Sequence, residues 1–453
     1  LFAWRRYLGR VGALCAGALF MISPYILFYS RYTRNEIFIV FWGVVMLWLF
    51  LRYLEDGQAK WLYWLTFIVA MHYADKATSY IFTAEASIFL ALLFIAESLR
   101  LSWKSELMKM RFQIAVAVTL AMIVITMGVF ILGKTPAPVQ SGVVSPEAGA
   151  SGVSHLINSK LPLFAAAGVT AIAAISAIIF LIKGLGIEQI RSSRTFDLIV
   201  LPLLLILPLL VALPLTLLGF DATDYSQMGI IRSGVVFVLL GSVSIVLGLL
   251  WNRKVFLRSA AIFWGIFIVF YTTFFSHGDG FFKGIVGALG YWMQQQAVER
   301  GTQPQYYYAL VQIPMYEYLP ALGVFLAFAI GFARKLFSAK VDEPFTPVVT
   351  VQADPELESA SIAAETIGHN EPLSALPAQE SSLPEEVQPL KDAEADETVR
   401  SGGIRRLFTD PPINTSRAES VPTLALLLFW SVMSLLAFSF AGDRMPWLTT
   451  HIT

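Results

Sequence analysis

Apolar residues along this chain gather into long runs separated by short polar gaps. A helical span needs about 20 predominantly apolar residues. Windows meeting or approaching that length fall at 11–29, 36–54, 61–75, 79–97, 112–132, 161–183, 197–219, 233–251, 259–275, 312–333 and 421–440. The pattern predicts about eleven membrane spans. The 61–75 window is short, and Lys76 at its end is placed to snorkel to the surface. Pro202, Pro208 and Pro214 fall inside one window. They are tolerated there because neighbouring helices satisfy the carbonyls that proline frees.

The basic residues fall into two sets. Arg5, Arg6 and Arg10 precede the first window. Arg52 and Lys60, Arg100 to Arg111, Lys183 to Arg194, Arg253 to Arg258 and Arg334 to Arg417 then occupy every second gap. The positive-inside rule makes these the cytoplasmic gaps. A second set lies mostly in the alternate, outward gaps: Arg31, Arg34, Lys76, Lys134, Lys160, Arg232, Lys283, Arg300 and Arg444. The first set orients the protein. Cations in the second set, close to carboxylates and aromatics, call for a functional explanation.

Composition agrees with an all-α polytopic membrane protein. Hydrophobic residues make up 56% and charged residues 14%, with a mean hydropathy of +0.65. Zero net charge excludes a broad nucleic-acid footprint, since no basic excess is present to release counterions. The single cysteine, Cys15, lies in an apolar run and reads as a packed residue. The five histidines show no metal-ligand spacing, no nucleotide-binding glycine motif occurs, and a divalent metal is unsupported. Residues 341–420 are rich in Glu, Asp, Pro, Ser and Ala. They read as a disordered acidic cytoplasmic loop between the 1–340 core and a final 421–453 segment. The Gly/Ser/Pro-rich stretch 133–160 reads as a flexible outer connection.

Three outward stretches carry the candidate chemistry. In Tyr29-Ser30-Arg31-Tyr32-Thr33-Arg34-Asn35-Glu36, Arg31 and Arg34 are three apart and share a helical face. Two guanidiniums so placed clamp a phosphate through bidentate hydrogen bonds, with Glu36 orienting one of them or binding a sugar hydroxyl. The same residues also fit a helix end that pairs locally. In Asp75-Lys76-Ala77-Thr78-Ser79, Lys76 suits a phosphate contact and equally a satisfied turn. Glu85, within a span, suggests function or a buried partner.

The third stretch, 276–311, contains Asp279, Lys283, Gln295, Arg300, Tyr306 and Tyr307, with Glu317 just beyond. Ile285, Val286, Leu289, Trp292 and Met293 share one face, which predicts an interfacial helix. Its amides and phenols suit sugar hydroxyls, while an aromatic belt at the membrane surface explains the tyrosines alone. Arg444 lies beside Trp447 in the last motif, GDRMPW.

SRYTRNE before a span, then RYLEDGQAKWLYW and DKATSY, resemble the early core of the GT-C superfamily. These are polytopic, lipid-phosphate-dependent glycosyltransferases, including the protein O-mannosyltransferases and aminoarabinose transferases. YWMQQQAVERGTQPQYYYALVQIPMYEYLP and GDRMPWLTTHI are similar to a bacterial and archaeal branch associated with flippase activity in protein glycosylation. The resemblance covers most of the chain outside 341–420. It implies an inverting transfer of a sugar from a polyprenyl-phosphate carrier to a lipid, glycan or protein acceptor, at the outer face of a plasma membrane. No nucleotide cofactor is expected. By the resemblance, Arg31, Arg34, Glu36 and Lys76 match the family's polar outer turns, and Lys283, Arg300, Tyr306 and Tyr307 its later outer loop. The expected phosphate contacts are Arg31, Arg34, Lys76, Lys283, Arg300 and Arg444, and the expected sugar or acceptor contacts are Glu36, Asp279, Gln295, Tyr306, Tyr307 and Glu317. The family's catalytic carboxylate follows its first span, which is expected upstream of Leu1, so this stretch reads as an inactive fragment. A flippase for lipid-linked sugar and a non-catalytic subunit of a glycan-assembly complex are the competing readings.

Overall fold

The computed structural model describes residues 1–32, 35–132, 152–296, 304, 306–334, 421–440 and 446–451. These form a single compact unit drawn from 1–340 and 419–453. It is helical, with no strand among the described residues. The expected disordered loop 341–420 lies outside them.

The helices are α1 (Arg5–Ile22), α2 (Pro24–Ser30), α3 (Glu36–Asp56), α4 (Ala59–Asp75), α5 (Ser79–Arg100), α6 (Glu106–Leu132), α7 (Gly152–Leu185), α8 (Ile187–Arg191) and α9 (Arg194–Ile206). A 3-10 turn, Leu207–Val211, leads into α10 (Ala212–Leu217). Then follow α11 (Gln227–Tyr271), α12 (Asp279–Gln296), a π-helical turn (Tyr307–Gln312), α13 (Ile313–Tyr316), α14 (Tyr318–Ala333) and α15 (Thr423–Phe440). A 3-10 segment, Pro446–His451, comes last. Among the described residues seven helices are long and apolar enough to span a membrane, or nine if two bent pairs each count as one.

Every apolar window falls on helix, and the departures have local causes. The 11–29 window bends by 62° between α1 and α2, at Ser23-Pro24, where proline takes the first helical position and lacks an amide to bond backward. The 312–333 window bends by 109° at Glu317, flanked by Pro314 and Pro320. The 233–251 and 259–275 windows merge into the 45-residue α11, which at about 67 Å would be twice the hydrocarbon thickness. It breaks at Asn252, whose φ and ψ are −156° and 97°. The Asn252 side chain then accepts the Val255 amide at 3.1 Å and caps the second limb. Of the expected loop 133–160, residues 133–151 lie outside the described residues, and α7 already begins at Gly152.

The most buried span, 194–217, is the axis of the bundle. Around it pack α3, α4, α5, α11 and α12. The α6–α7 hairpin has a small core of its own, built on Phe112, Ala115, Ala177 and Leu181, against which Phe94 and Leu99 of α5 and Phe196 of α9 pack. The apolar stripe of α12 is buried in protein, with Val286 at 0% exposure, because the helix packs on 207–217 and α11. The expected interfacial helix therefore covers the core with that face.

One end of the bundle is tied by its own charges. Arg194 donates to the last carbonyls of α3, Leu54 O at 2.9 Å and Glu55 O at 2.8 Å. Glu55 pairs with Arg6 and Arg52, and Trp61 donates to Asp56 at 2.7 Å. Asp197 accepts from Tyr53 and from Trp251, and Thr195 donates to Glu97. Arg6, Arg52 and Arg194 of the first set thus meet at this end. Gly57 turns the chain here at φ +68°, where an added Cβ would lie 2.6 Å from Arg194 Nε. Arg194→Ala is expected to lose about 2–3 kcal/mol of stability through the uncapped carbonyls. Gly57→Ala should lose about 1–2 kcal/mol through its left-handed backbone alone. Thermal unfolding of the purified protein measures both. An unchanged midpoint for either would remove that residue from the tie.

Candidate functional site

At the opposite end, the start of α3 meets the turn between α4 and α5. Asn35 stands at the N-cap of α3, and its Nδ2 donates to Asp75 O at 2.8 Å. That bond satisfies a terminal carbonyl of α4 and locks the two helix ends together. Glu36, in the first turn of α3, is wholly buried, where a carboxylate complements the helix dipole. Lys76, extended at the C-cap of α4, reaches it with Nζ 2.8 Å from Oε1. The ammonium keeps N–H groups beyond the one directed at Glu36. Ser79 Oγ donates to Lys76 O at 2.8 Å and holds the turn closed.

The Pro446–His451 segment packs against α2, α3 and the π-helical turn. Leu448, Thr449, Thr450 and His451 are all buried. The His451 ring stacks on Phe438 at 5.3 Å and meets the edge of Phe82 at 5.8 Å, while His72 meets Phe82 at 5.0 Å. Burial pushes the His451 imidazole well below its ordinary pKa, and Lys76 and His72 push it the same way. The ring is therefore neutral when folded but titrates near its ordinary 6.5 when unfolded. The unfolded chain binds the extra proton, so stability falls as pH drops below that value. We expect the unfolding midpoint to decline between pH 7 and 5, with a shallower slope in His451→Gln. Identical slopes would exclude His451 as a source.

Several buried polar atoms here have no hydrogen-bond partner among the described residues: His72 Nε2, both ring nitrogens of His451, Asp75 Oδ2 and Thr78 Oγ1. Each such atom costs about 1–3 kcal/mol. They belong to one cluster, formed by the end of α4, the turn after it and the Pro446–His451 segment. Beside it lies an open hollow of about 760 Å³ lined by Ser30, Arg31, Tyr32, Asn35, Ile37, Phe38 and Asp75. A second hollow of about 410 Å³ adjoins it, lined by Pro24, Leu27, Phe28, Arg31 and Tyr32. Arg31 and Tyr32 line both hollows.

The residues singled out in the sequence separate accordingly. Arg31 is exposed and lines both hollows. Glu36 and Lys76, expected as a sugar contact and a phosphate contact, form one ion pair. Glu317 is buried, its carboxylate accepting from Ser23 Oγ and, at 3.3 Å, from the Tyr25 amide. Tyr307 is buried and accepts from Gln312, while Tyr306 is exposed. Asp279 and Lys283 pair with each other at 2.6 Å on the surface of α12. Their hydrogen bond holds Asp279 below and Lys283 above the ordinary range. Gln294 ties α12 to Asp221 and Thr223 at 2.7 Å each. Arg34, Arg300, Arg444 and the Gln295 side chain lie outside the described residues. Glu85 accepts from Ser434 Oγ on α15 at 2.8 Å, a helix-to-helix contact.

Sequence reasoning did not pick out Asn35, His72 or His451. His72 precedes Asp75 by three positions, one helical turn on the same face, which was a usable signal. His451 carried none, since only the tertiary fold brings it to Phe82.

By fold this is an all-helical, multi-pass membrane protein. Residues 2–132 match the family model described as dolichyl-phosphate-mannose-protein mannosyltransferase. That family is of the GT-C type, so the match supports a membrane glycosyltransferase. It spans α1 to α6 and includes Arg31, Glu36, Asp75 and Lys76. No curated protein and no solved structure matches the chain.

Proposed function

We propose that this protein transfers a sugar from a polyprenyl-phosphate carrier to a lipid, glycan or protein acceptor at the Glu36 end of the bundle. The carrying observation is that Arg31, Asn35 and Asp75 line one hollow beside the Glu36–Lys76 pair, all within the family-matched segment. The alternation of basic gaps supports an outward-facing site, and the resemblance of the later motifs to a bacterial and archaeal branch supports the plasma membrane of such an organism.

In this reading the acceptor oxygen bonds to the anomeric carbon as the bond from that carbon to the phosphate oxygen breaks. The electron pair leaves with the polyprenyl phosphate, and inversion follows from attack opposite the leaving group. The acceptor hydroxyl passes its proton to a carboxylate acting as general base. Arg31 and Lys76 supply fixed positive charge where the leaving phosphate gains negative charge. Glu36 holds the Lys76 ammonium in place and limits its reorganisation. Pro24, Leu27 and Phe28 beside Arg31 in the smaller hollow support an amphipathic donor.

The buried contact of Glu85 with Ser434 favours a transferase over a flippase, since that carboxylate joins two helices rather than lining a path. Product inhibition tests the donor class. Polyprenyl phosphate should compete with the donor in a transfer assay using full-length protein, and the uncharged polyprenol should not. Equal competition by both would remove phosphate recognition from the site.

A further inference from the structure

The two sharply bent spans meet at one buried carboxylate. Glu317 stands at the 109° bend between α13 and α14, and Ser23 at the 62° bend between α1 and α2. Ser23 Oγ accepts the Ile26 amide at 3.2 Å and donates its own proton to Glu317 Oε1. The Tyr25 amide donates to the same carboxylate oxygen. Two of the first amides of α2 are therefore capped, one through a hydroxyl and one by a carboxylate from a distant part of the chain. Tyr316, next to Glu317, meets Tyr25 edge-on at 5.5 Å, and Tyr25 stacks on Tyr29 at 6.0 Å.

We propose that Glu317 is a positioning residue: it latches α2 onto the bend before α14 and so sets the place of Arg31 at the other end of α2. The inference rests on the donor-site reading given above. A seven-residue helix is too short to hold its own direction between a proline-marked bend and a turn. Its C-terminal end carries the one residue common to both hollows that bears a charge. Displacing a binding group by about 1 Å is enough to lower turnover strongly, so a contact far from the reacting atoms can control the site. A carboxylate does this with acceptor oxygens alone, which the amide oxygen of Gln reproduces and Ala does not.

Two measurements on the full-length protein test the latch. In transfer kinetics, Glu317→Ala is expected to lower kcat/KM for the lipid-phosphate donor about tenfold, and Glu317→Gln to restore most of the loss. Arg31→Ala combined with Glu317→Ala should be no worse than Arg31→Ala alone, because Glu317 acts through Arg31. Additive losses, or an unchanged kcat/KM in folded Glu317→Ala, would overturn the proposal.

The second measurement needs no activity. Spin labels at Leu27→Cys and Met315→Cys, both exposed positions, in a Cys15→Ser background report the distance between α2 and α13. A single narrow distribution should broaden in Glu317→Ala and return in Glu317→Gln. An unbroadened distribution overturns the latch. If Arg31→Ala itself leaves transfer unchanged, the donor-site reading fails, and the spin-label distances alone decide whether Glu317 holds α2.

Discussion

Lys76→Met is expected to abolish sugar transfer and to lower the unfolding midpoint sharply, and the two losses should separate in a double variant. Glu36 is completely buried and its Oε1 lies 2.8 Å from the Lys76 ammonium. Removing the cation leaves a carboxylate in a low-dielectric setting without its counter-charge, a change that costs about 3–5 kcal/mol. Adding Glu36→Gln removes that charge as well and should return most of the stability, since a buried pair replaced as a pair is often neutral. Transfer should stay absent in the double variant, because the cation that faces the leaving phosphate is still missing. Thermal unfolding and transfer assays on the single and double variants check both halves. Recovery of transfer together with stability would assign the pair a structural role only.

Arg31→Ala should give the opposite signature. The side chain is exposed and lines two hollows, so its loss leaves no buried group unsatisfied. The unfolding midpoint should stay within the small range of surface substitutions, about 0.5 kcal/mol. Transfer should fall about 100- to 1000-fold, the usual effect of removing one fixed donor that meets developing charge. Arg31→Lys should recover only part of this, since an ammonium cannot offer the two parallel donors of a guanidinium. Normal turnover in Arg31→Ala would exclude it from the donor site.

The apolar windows, about eleven, fall on all seven to nine candidate spans among the described residues, because span length is set by bilayer thickness and burial by hydropathy, both local properties. The bends were not legible to the same degree. Ser23-Pro24 and Pro314 marked where helices could break, but proline inside a span is equally compatible with a straight path, as in α9 with Pro202. The α12 stripe was read correctly as one face, yet periodicity cannot say whether lipid or protein covers it.

The same limit applied to the site. Arg31, Glu36 and Lys76 stood out as cations and a carboxylate in outward gaps. That Glu36 and Lys76 meet depends on α3 and α4 being antiparallel neighbours, which their short connection at Gly57 only suggested. Glu317 looked like a sugar ligand because it sits among tyrosines. Its actual partners, Ser23 and Tyr25, are nearly three hundred positions away (292 for the Tyr25 amide). Pro446–His451 enters the cluster by the same kind of long-range closure.

The central claim is that the Glu36 end of this bundle transfers sugar from a lipid phosphate. The most direct test reconstitutes full-length protein in proteoliposomes with radiolabelled polyprenyl-phosphate sugar and an acceptor extract outside. The account predicts label moving to the acceptor from carrier already in the accessible leaflet, and no such movement with Lys76→Met/Glu36→Gln. Label that crosses the bilayer while still joined to its carrier would contradict it and make the protein a flippase.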